Sequence, residues 1–256
     1  GLENLGIMFA NKGQLVHARE LWLKGFDVDG HPDFCAHLAR LAFTEGREVD
    51  AWNQVHRGLR RIQERCMRAA EWDDDGRGTG VLLRYLVEHL EERRAPDDVV
   101  EALIDLVDQL EDSADRLDLG LCLLAVDQPM DARDELQAGL LGDVDAALRD
   151  LAVRGLLRSA IQDFEKRFAR AVDDAVTAKG AHRAVRELTV FFHVESRFWP
   201  ALFFMGLAKK QLGQPDDAID DLAHALRLRP KQPDVLREIA VLYDDRGNPK
   251  RALECV

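Results

Sequence analysis

Eight histidines and two short aspartate runs are the residues of this 256-residue chain whose types are most familiar from metal sites. No histidine lies in an HExxH motif or has a second histidine three or four residues away, the spacing that lets one helix hold zinc. Residues 73–76 and 27–30 resemble the start of a calcium loop. The twelfth position of such a loop needs a bidentate glutamate, and here it falls on Leu82 or Ala36. The sequence therefore predicts no metal site.

Nucleophile and cofactor motifs are missing from the sequence as well. The glycines of residues 76–80 follow no predicted strand and lack the lysine of a phosphate-binding loop, and there is no GxSxG motif. Cys35, Cys66, Cys122 and Cys255 are far apart and form no CxxC pair, which is typical of reduced cytosolic thiols. We therefore predict no catalytic residue and no cofactor, and hence a protein that is not an enzyme.

The overall charge excludes further classes of function. The chain has 35 basic and 47 acidic residues, for a formal net charge of −12. Proteins that track nucleic-acid phosphates normally carry a basic excess, and anionic membrane surfaces also attract basic chains. No apolar run approaches the ~20 residues of a membrane span. The sequence predicts a cytoplasmic protein with no nucleic-acid partner and no membrane insertion.

Two strips of charge remain as possible interaction surfaces. Five arginines lie at helical spacing within residues 57–68, namely Arg57, Arg60, Arg61, Arg65 and Arg68. Residues 88–118 contain twelve acidic residues against three arginines, a local balance of −9. These strips are either solvated faces that attract one another, or docking surfaces for partners of opposite charge.

Helices must position all of these residues. Apolar side chains recur at i, i+3, i+4 and i+7, as in Leu103, Leu106, Val107 and Leu110, and this period is typical of amphipathic α-helices. Short glycine- or proline-containing segments separate the apolar stretches, which leaves room only for tight turns between antiparallel helices. The sequence therefore predicts an all-α fold.

The helices follow an internal repeat. One copy has small residues at Gly206 and Ala218, a turn glycine at Gly213, a large apolar residue at Leu222 and a proline at Pro230. The start of the chain repeats this pattern with Gly6, Gly13, Ala18 and Trp22. In these residues the chain resembles the tetratricopeptide repeat (TPR) family, whose units are helix–turn–helix pairs of ~34 residues. The resemblance implies a right-handed superhelical solenoid of antiparallel helix pairs, with about six to seven repeats and irregular middle units.

We predict one continuous solenoid with four segments. Residues 1–65 form N-terminal TPR-like repeats, residues 66–79 a polar connector loop, residues 80–164 degenerate helical repeats, and residues 165–256 C-terminal TPR repeats with an incomplete last unit. Residues 147–164 are predicted as an extra helix or a degenerate repeat. The incomplete end units lead us to expect a piece of a larger repeat protein.

The resemblance also implies which residues line a concave groove formed by the first helix of each unit. The predicted partner-binding residues are Arg40, Phe43, Arg84, Leu117, Leu121, Leu124, Phe203, Leu207, Lys210 and Arg237. Further groove positions carried over from the family are Ala36, Glu88, Glu91, Ala169, Asp173, Val241 and Asp244. The Lys/Asn/Arg set with which some family members hold a chaperone's C-terminal carboxylate is missing, because the first-unit positions are Glu3 and Ile7.

These residues predict a non-enzymatic scaffold that binds a partner peptide, helix or protein surface in the groove. An alternative is that the apolar groove residues are buried against the extra helix or by self-association. A second alternative is a self-assembly or regulatory module of a larger multidomain protein. The fold alone does not choose among these functions.

Overall fold

A computed structural model describes residues 1–67, 80–90 and 92–254. Within these residues the chain forms fifteen helices and no strand, so the all-α prediction is confirmed. The helices are α1 (Leu2–Asn11), α2 (Leu15–Asp29), α3 (Pro32–Thr44), α4 (Glu48–Met67), α5 (Gly80–Leu90), α6 (Asp97–Ile104), α7 (Ser113–Ala125), α8 (Pro129–Gly139), α9 (Ala146–Ala160), α10 (Phe164–Ala175), α11 (Ala181–Val194), α12 (Trp199–Gln211), α13 (Pro215–Leu228), α14 (Pro233–Asp245) and α15 (Pro249–Glu254).

The chain divides into two compact units, Gly1–Leu148 and Arg149–Val256. In the first unit, α1/α2, α3/α4 and α7/α8 pack as helix pairs, whereas α5 packs on α3 and α7, and α6 packs on α4 and α7. In the second unit, α10/α11, α12/α13 and α14/α15 pack as pairs. Helix α9 is not part of these pairs and lies where the sequence predicts an extra helix or a degenerate repeat. The helix–turn–helix pairs predicted from the repeat are present, with irregular units in the middle of the chain.

Left-handed turn residues end the first helix of most pairs. The glycines predicted for this role have φ between +70° and +75° and are Gly13, Gly46, Gly213 and Gly247. A residue without a side chain adopts this conformation at no steric cost. Between α7 and α8 the position belongs to Asp127, at φ +61°. Aspartate is one of the few other residues that tolerate this region, so the helix–turn–helix geometry persists where the sequence repeat is weakest.

Three helix pairs share one close contact. In each pair a glycine lies on the first helix. On the second helix an alanine follows twelve residues later and a large apolar residue sixteen residues later, and this large side chain packs against the glycine. The three sets are Gly6, Ala18 and Trp22; Gly120, Ala132 and Leu136; and Gly206, Ala218 and Leu222. In the last two, a Cβ on the glycine would lie 2.7 Å from the leucine Cγ and 3.1 Å from the alanine carbonyl oxygen. The small residues predicted from the repeat therefore allow the two backbones to approach.

We expect Gly206→Ala to lower the free energy of unfolding of the second unit by about 1–2 kcal/mol. The added methyl group overpacks the α12/α13 contact, and this cost exceeds the gain in helix propensity. Urea denaturation measures the effect. The double variant Gly206→Ala/Leu222→Ala is the control, because removal of the facing side chain should make the two losses less than additive. Strict additivity would contradict a direct clash.

The predicted connector falls largely outside the described residues. Cys66 and Met67 still belong to α4, and residues 68–79 lie beyond the described range. Several other residues named from the sequence also lie outside the described residues: Arg68, the aspartates of residues 73–75, Glu91 of the predicted groove, and Cys255. The segment boundaries derived from the sequence therefore stay predictions.

Candidate functional site

An open cleft of about 570 Å³ lies in the first unit along the successive first helices α3, α5 and α7. The α5 helix supplies its centre because it contacts both α3 and α7. The cleft combines small apolar side chains with charged ones. Its lining consists of Ala36, His37, Arg40, Val81, Arg84, Tyr85, Glu88, Asp112, Ala114, Asp115 and Asp118.

An ion pair joins α5 to α7 at the cleft wall. Nε of Arg84 lies 2.7 Å from Oδ1 of Asp118, whose side chain is only 2% exposed. Burial raises the pKa of the Asp118 carboxyl to about 6, although the hydrogen bond and charge of Arg84 oppose this shift. The neighbouring carboxylates of Asp115 and Asp145 raise the pKa further. Asp118 thus holds a proton at a pH where an exposed aspartate is ionised.

Tyr85 contributes a hydroxyl group without a partner. Its residue is 8% exposed, and the hydroxyl oxygen makes no hydrogen bond within the described part of the chain. The ring packs 4.1 Å from the His89 ring, between centroids. Burial raises the pKa of the phenol to about 12, so the hydroxyl stays protonated. The charged groups of Arg40 and Glu88, which both line the cleft, act on this hydroxyl electrostatically.

The α7 helix brings three aspartates to the cleft in its first turns. Asp112 is the N-cap, and its carboxylate accepts hydrogen bonds from the backbone N–H groups of Ala114 at 2.8 Å and Asp115 at 3.1 Å. Aspartate is favoured at this position because it satisfies free N–H groups at the helix start. Asp115 and Asp118 follow at helical spacing and are both buried. The acidic side of the cleft is therefore built into the start of one helix.

A buried glutamate that the sequence reasoning missed fixes the position of α7. Glu135 on α8 is fully buried and accepts hydrogen bonds from the Asp108 backbone N–H at 2.7 Å and from Arg116 Nε at 2.8 Å. It thereby ties α8 to α7 and to the turn that follows α6. The one indication in the sequence is its place between Ala132 and Leu136, on the apolar side of the helix.

The cleft gathers some of the predicted groove residues. Arg40 and Arg84 line it, together with Ala36 and Glu88. Phe43 lies outside it, half-buried, with its ring 5.1 Å from that of Trp52. The prediction for α3 and α5 therefore corresponds to one physical surface, apart from Phe43.

The predicted residues of α7 lie elsewhere. Leu117 is fully buried, because its side chain fills the space left by Gly139 of α8, where a Cβ would lie 2.6 Å from Leu117 Cδ2. It therefore offers no accessible surface to a partner. Leu121 and Leu124 are half-buried, and Leu124 packs against the hydrophobic core of the first unit. In place of Leu117, the helix turns Asp118 toward the cleft.

The second unit holds the remaining predicted residues on α12 and α14. The half-buried Phe203 ring lies 5.0 Å from the Phe204 ring, and Leu207 is half-buried as well. Lys210 Nζ lies 2.9 Å from Glu238 and joins α12 to α14. Arg237 is exposed and pairs with Asp234 at 3.0 Å. Ala169, Asp173, Val241 and Asp244 are exposed.

The predicted extra helix α9 contacts other parts of the second unit. Asp150 pairs with Arg229 at 2.8 Å, and Arg154 lies over the rings of Phe168 and Phe198, at 5.6 and 5.9 Å from their centroids. These contacts tie α9 to α10 and to the segments that precede α12 and α14.

The arginine strip finds partners on its own helix and on α2. Arg57 lies 4.0 Å above the Phe26 ring and 3.6 Å from Asp27, and Arg61 donates to the Gly30 carbonyl at the end of α2 at 3.1 Å and to Glu64 at 2.7 Å. The acidic strip meets α4 through other residues, since Gln63 donates to Asp105 at 3.4 Å. These contacts all lie within the first unit.

No group of three or more His, Cys, Asp or Glu side chains in the described part of the chain is arranged to hold a metal ion. Across residues 1–67, 80–90 and 92–254, none of the helices combines the length and the apolar composition that a bilayer crossing requires.

Comparisons with known proteins give similarities of structure alone. No protein-family model matches the chain, and no curated protein matches it. The crystal structure of MamA is similar at 16% identity and a TM-score of 0.30, over 62% of this chain and 83% of that one. MamA 41-end from Desulfovibrio magneticus RS-1 is similar at 16% identity and a TM-score of 0.30, over 78% and 90%. The P58(IPK) TPR domain is similar at 16% identity and a TM-score of 0.36 over 99% of this chain, which spans 57% of that one.

Proposed function

We propose that this chain is a non-enzymatic interaction scaffold that holds a segment of a partner protein in the cleft along α3, α5 and α7. One observation carries the proposal. Four positions implied by the TPR resemblance, Ala36, Arg40, Arg84 and Glu88, surround a single open cleft rather than being scattered over the surface. They come from α3 and α5, which pack against each other, so the cleft depends on this contact between helices.

The chemistry of the cleft suits an extended or helical peptide segment. Ala36, Ala114 and Val81 give apolar contact, while charged groups at the edges fix the register of the bound segment. A volume of about 570 Å³ lies within the range of ligand pockets, and the opening leaves room for a chain to continue on either side. The proposed role is binding without a chemical step.

The second unit offers another candidate surface. Phe203, Leu207, Lys210 and Arg237 combine half-buried apolar side chains with two cations on neighbouring first helices. We propose it as a further contact for a protein partner. The acidic net charge supports a protein or peptide partner over a nucleic acid. The free, buried thiols of Cys35 and Cys122 suit the proposed cytoplasmic location.

Site-specific photo-crosslinking tests the cleft. A photo-reactive amino acid replaces Val81, which lines the cleft and is 46% exposed, and in a matched control it replaces Val190 on α11, which is 44% exposed. We expect crosslinked partner peptides from position 81 in the source cells and few from position 190. Mass spectrometry identifies the crosslinked peptides.

A blocking variant completes the test. Val81→Trp fills the cleft from its exposed edge, and Val190→Trp makes the same change away from it. The proposal predicts that the partner copurifies with Val190→Trp and is lost from Val81→Trp, while circular dichroism shows both folded. Equal recovery with both variants would contradict cleft binding. A mass that rises with concentration for the wild type but not for Val81→Trp would indicate a second copy as the partner.

A further inference from the structure

We infer that the cleft along α3, α5 and α7 selects a partner segment by a lysine or arginine side chain, which is held between the Glu88 carboxylate and the Tyr85 hydroxyl. This inference rests on the proposed function and names the chemistry of the segment that would bind. Three observations support it: the excess of acidic residues in the lining, the lack of a hydrogen-bond partner for the Tyr85 hydroxyl among the described residues, and the ion pair between Arg84 and Asp118.

The lining of the cleft carries an excess of carboxylates. Two arginines, Arg40 and Arg84, face four acidic residues that also line it: Glu88, Asp112, Asp115 and Asp118. The surrounding stretch of sequence, residues 88–118, has a balance of −9, and the whole chain carries −12. Such a field raises the local concentration of basic segments and speeds their association.

The Arg84 guanidinium is already used within the protein. Its Nε donates to the buried Asp118 at 2.7 Å, and the charges of Asp145 and Glu88 act on it as well. A ligand that displaced Asp118 from Arg84 would leave the Asp118 side chain buried without this partner, which is costly. Arg84 Nε therefore serves to hold α5 and α7 together, and within the described part of the chain Arg40 has no comparable ion pair.

The Tyr85 hydroxyl is the second, independent observation that indicates a ligand. A buried hydroxyl without a hydrogen-bond partner costs free energy, and native proteins rarely leave one unsatisfied. The Tyr85 side chain is more than nine-tenths buried in the cleft wall, and its hydroxyl makes no hydrogen bond within the described part of the chain. Because burial keeps the phenol protonated, its oxygen accepts a hydrogen bond from an ammonium or guanidinium group without itself carrying charge.

Glu88 supplies the charge beside that hydroxyl. It is exposed, it lines the cleft and it lies on α5 three residues after Tyr85. Its carboxylate acts on the phenol in the opposite sense to the charges of Arg40 and Arg93. A cation placed between the two would donate one hydrogen bond to the carboxylate and one to the hydroxyl oxygen, and both are charge-assisted because the donor is ionised. The apolar Val81, one turn earlier on the same helix, would contact the methylene stem of the bound side chain.

Binding of three short, capped, fluorescently labelled peptides tests the inference. Alanine alternates in them with lysine, glutamine or glutamate, and fluorescence anisotropy at physiological salt gives each Kd. We expect the lysine peptide to bind at least about tenfold more tightly than the glutamine peptide and the glutamate peptide to bind most weakly. The advantage of the lysine peptide should shrink as salt is added.

Variants of the cleft assign the effect to its residues. Glu88→Gln should remove most of the preference for lysine, and Tyr85→Phe should weaken lysine binding while the protein stays folded. Arg40→Gln is the matched control, because loss of a cation should leave lysine binding unchanged or tighter. Preferential binding of the glutamate peptide, weakened by Arg40→Gln, would overturn the inference in favour of an acidic segment.

The peptide results separate this inference from the proposed function. Equal binding of the lysine and glutamine peptides, abolished in both cases by Val81→Trp, would overturn the charge selection and leave cleft binding intact. Lysine binding that Val81→Trp and Glu88→Gln leave unchanged would overturn the inference, since the peptide would then bind elsewhere on the acidic surface. The crosslinking experiment judges the proposed function independently of these peptides.

Discussion

Phe164→Ala is expected to lower the free energy of unfolding of the second unit by about 3–5 kcal/mol. The Phe164 side chain is 2% exposed at the start of α10. Its ring centroid lies 5.2 Å from that of Phe191, 5.7 Å from that of Phe198 and 5.8 Å from that of Phe168. Truncation would leave a cavity among rigid rings and remove edge-to-face contacts that add to burial.

Hydrogen exchange with mass spectrometry localises this loss. Amides of α10 and α11 should exchange faster in Phe164→Ala than in the wild type, because their shared core supports both helices. Phe203→Ala is the matched control, since that phenylalanine is half-buried on α12 and its truncation should cost less. Equal losses for the two variants would mean that the phenylalanine cluster is no more important to the unit than a surface contact.

The phenylalanine cluster shows what a repeat pattern predicts well. Phe168 lies within residues 165–256, the predicted C-terminal repeats, and its place in the core follows from the apolar face of the helix. The small residues Gly206 and Ala218 at the α12/α13 contact and the left-handed turn at Gly213 follow from the repeat in the same way, because each is set by residues near in sequence. Such features depend on a side chain's size or a backbone conformation alone.

The candidate site depends on contacts that no local pattern contains. Leu117 and Asp118 are neighbours on α7, and a small rotation of the helix decides which of them faces the cleft. Gly139 on α8 settles this rotation, because its missing side chain leaves the space that Leu117 fills. The glycine is visible in the sequence, but its position opposite Leu117 depends on how α7 and α8 pack.

Electrostatic roles were the hardest to predict. The aspartates of residues 88–118 look alike as a strip of charge, yet Asp118 is buried against Arg84 while Asp112 caps the helix. Burial and partner, rather than residue type, separate these roles. The Tyr85 hydroxyl is a similar case, because only the packing around it shows that it has no hydrogen-bond partner among the described residues.

The Asp118 carboxyl should make the stability of the first unit depend on pH with an unusual sign. Its pKa is about 6 in the folded chain, raised mainly by burial, against 3.8 as the ordinary value. Between these values the folded state binds more protons than the unfolded state, so stability falls as pH rises from about 4 to about 6 and is constant above. The rise of the Asp118 pKa from 3.8 to about 6 corresponds to a loss of about 3 kcal/mol in the free energy of unfolding over this pH range.

Asp118→Asn removes this dependence, because the amide keeps the size of the side chain but does not titrate. The free energy of unfolding of Asp118→Asn minus that of the wild type should increase by about 3 kcal/mol from pH 4 to pH 7, because only the wild type loses the stabilisation from the Asp118 proton. Urea denaturation at each pH gives the difference, in which contributions from carboxyl groups common to both proteins cancel.

Arg84→Gln provides the opposite case. The hydrogen bond and charge of Arg84 hold the pKa of Asp118 down, so their loss should raise that pKa further and extend the fall in stability to higher pH. Relative to the wild type, Arg84→Gln should therefore lose more free energy of unfolding at pH 7 than at pH 5, because at pH 5 the Asp118 carboxyl is largely protonated in both proteins. Parallel pH profiles for the wild type and both variants would show that Asp118 ionises freely, as an exposed aspartate does. Arg84 would then be free to bind an acidic partner, and the charge selection proposed for the cleft would lose one of its three supports.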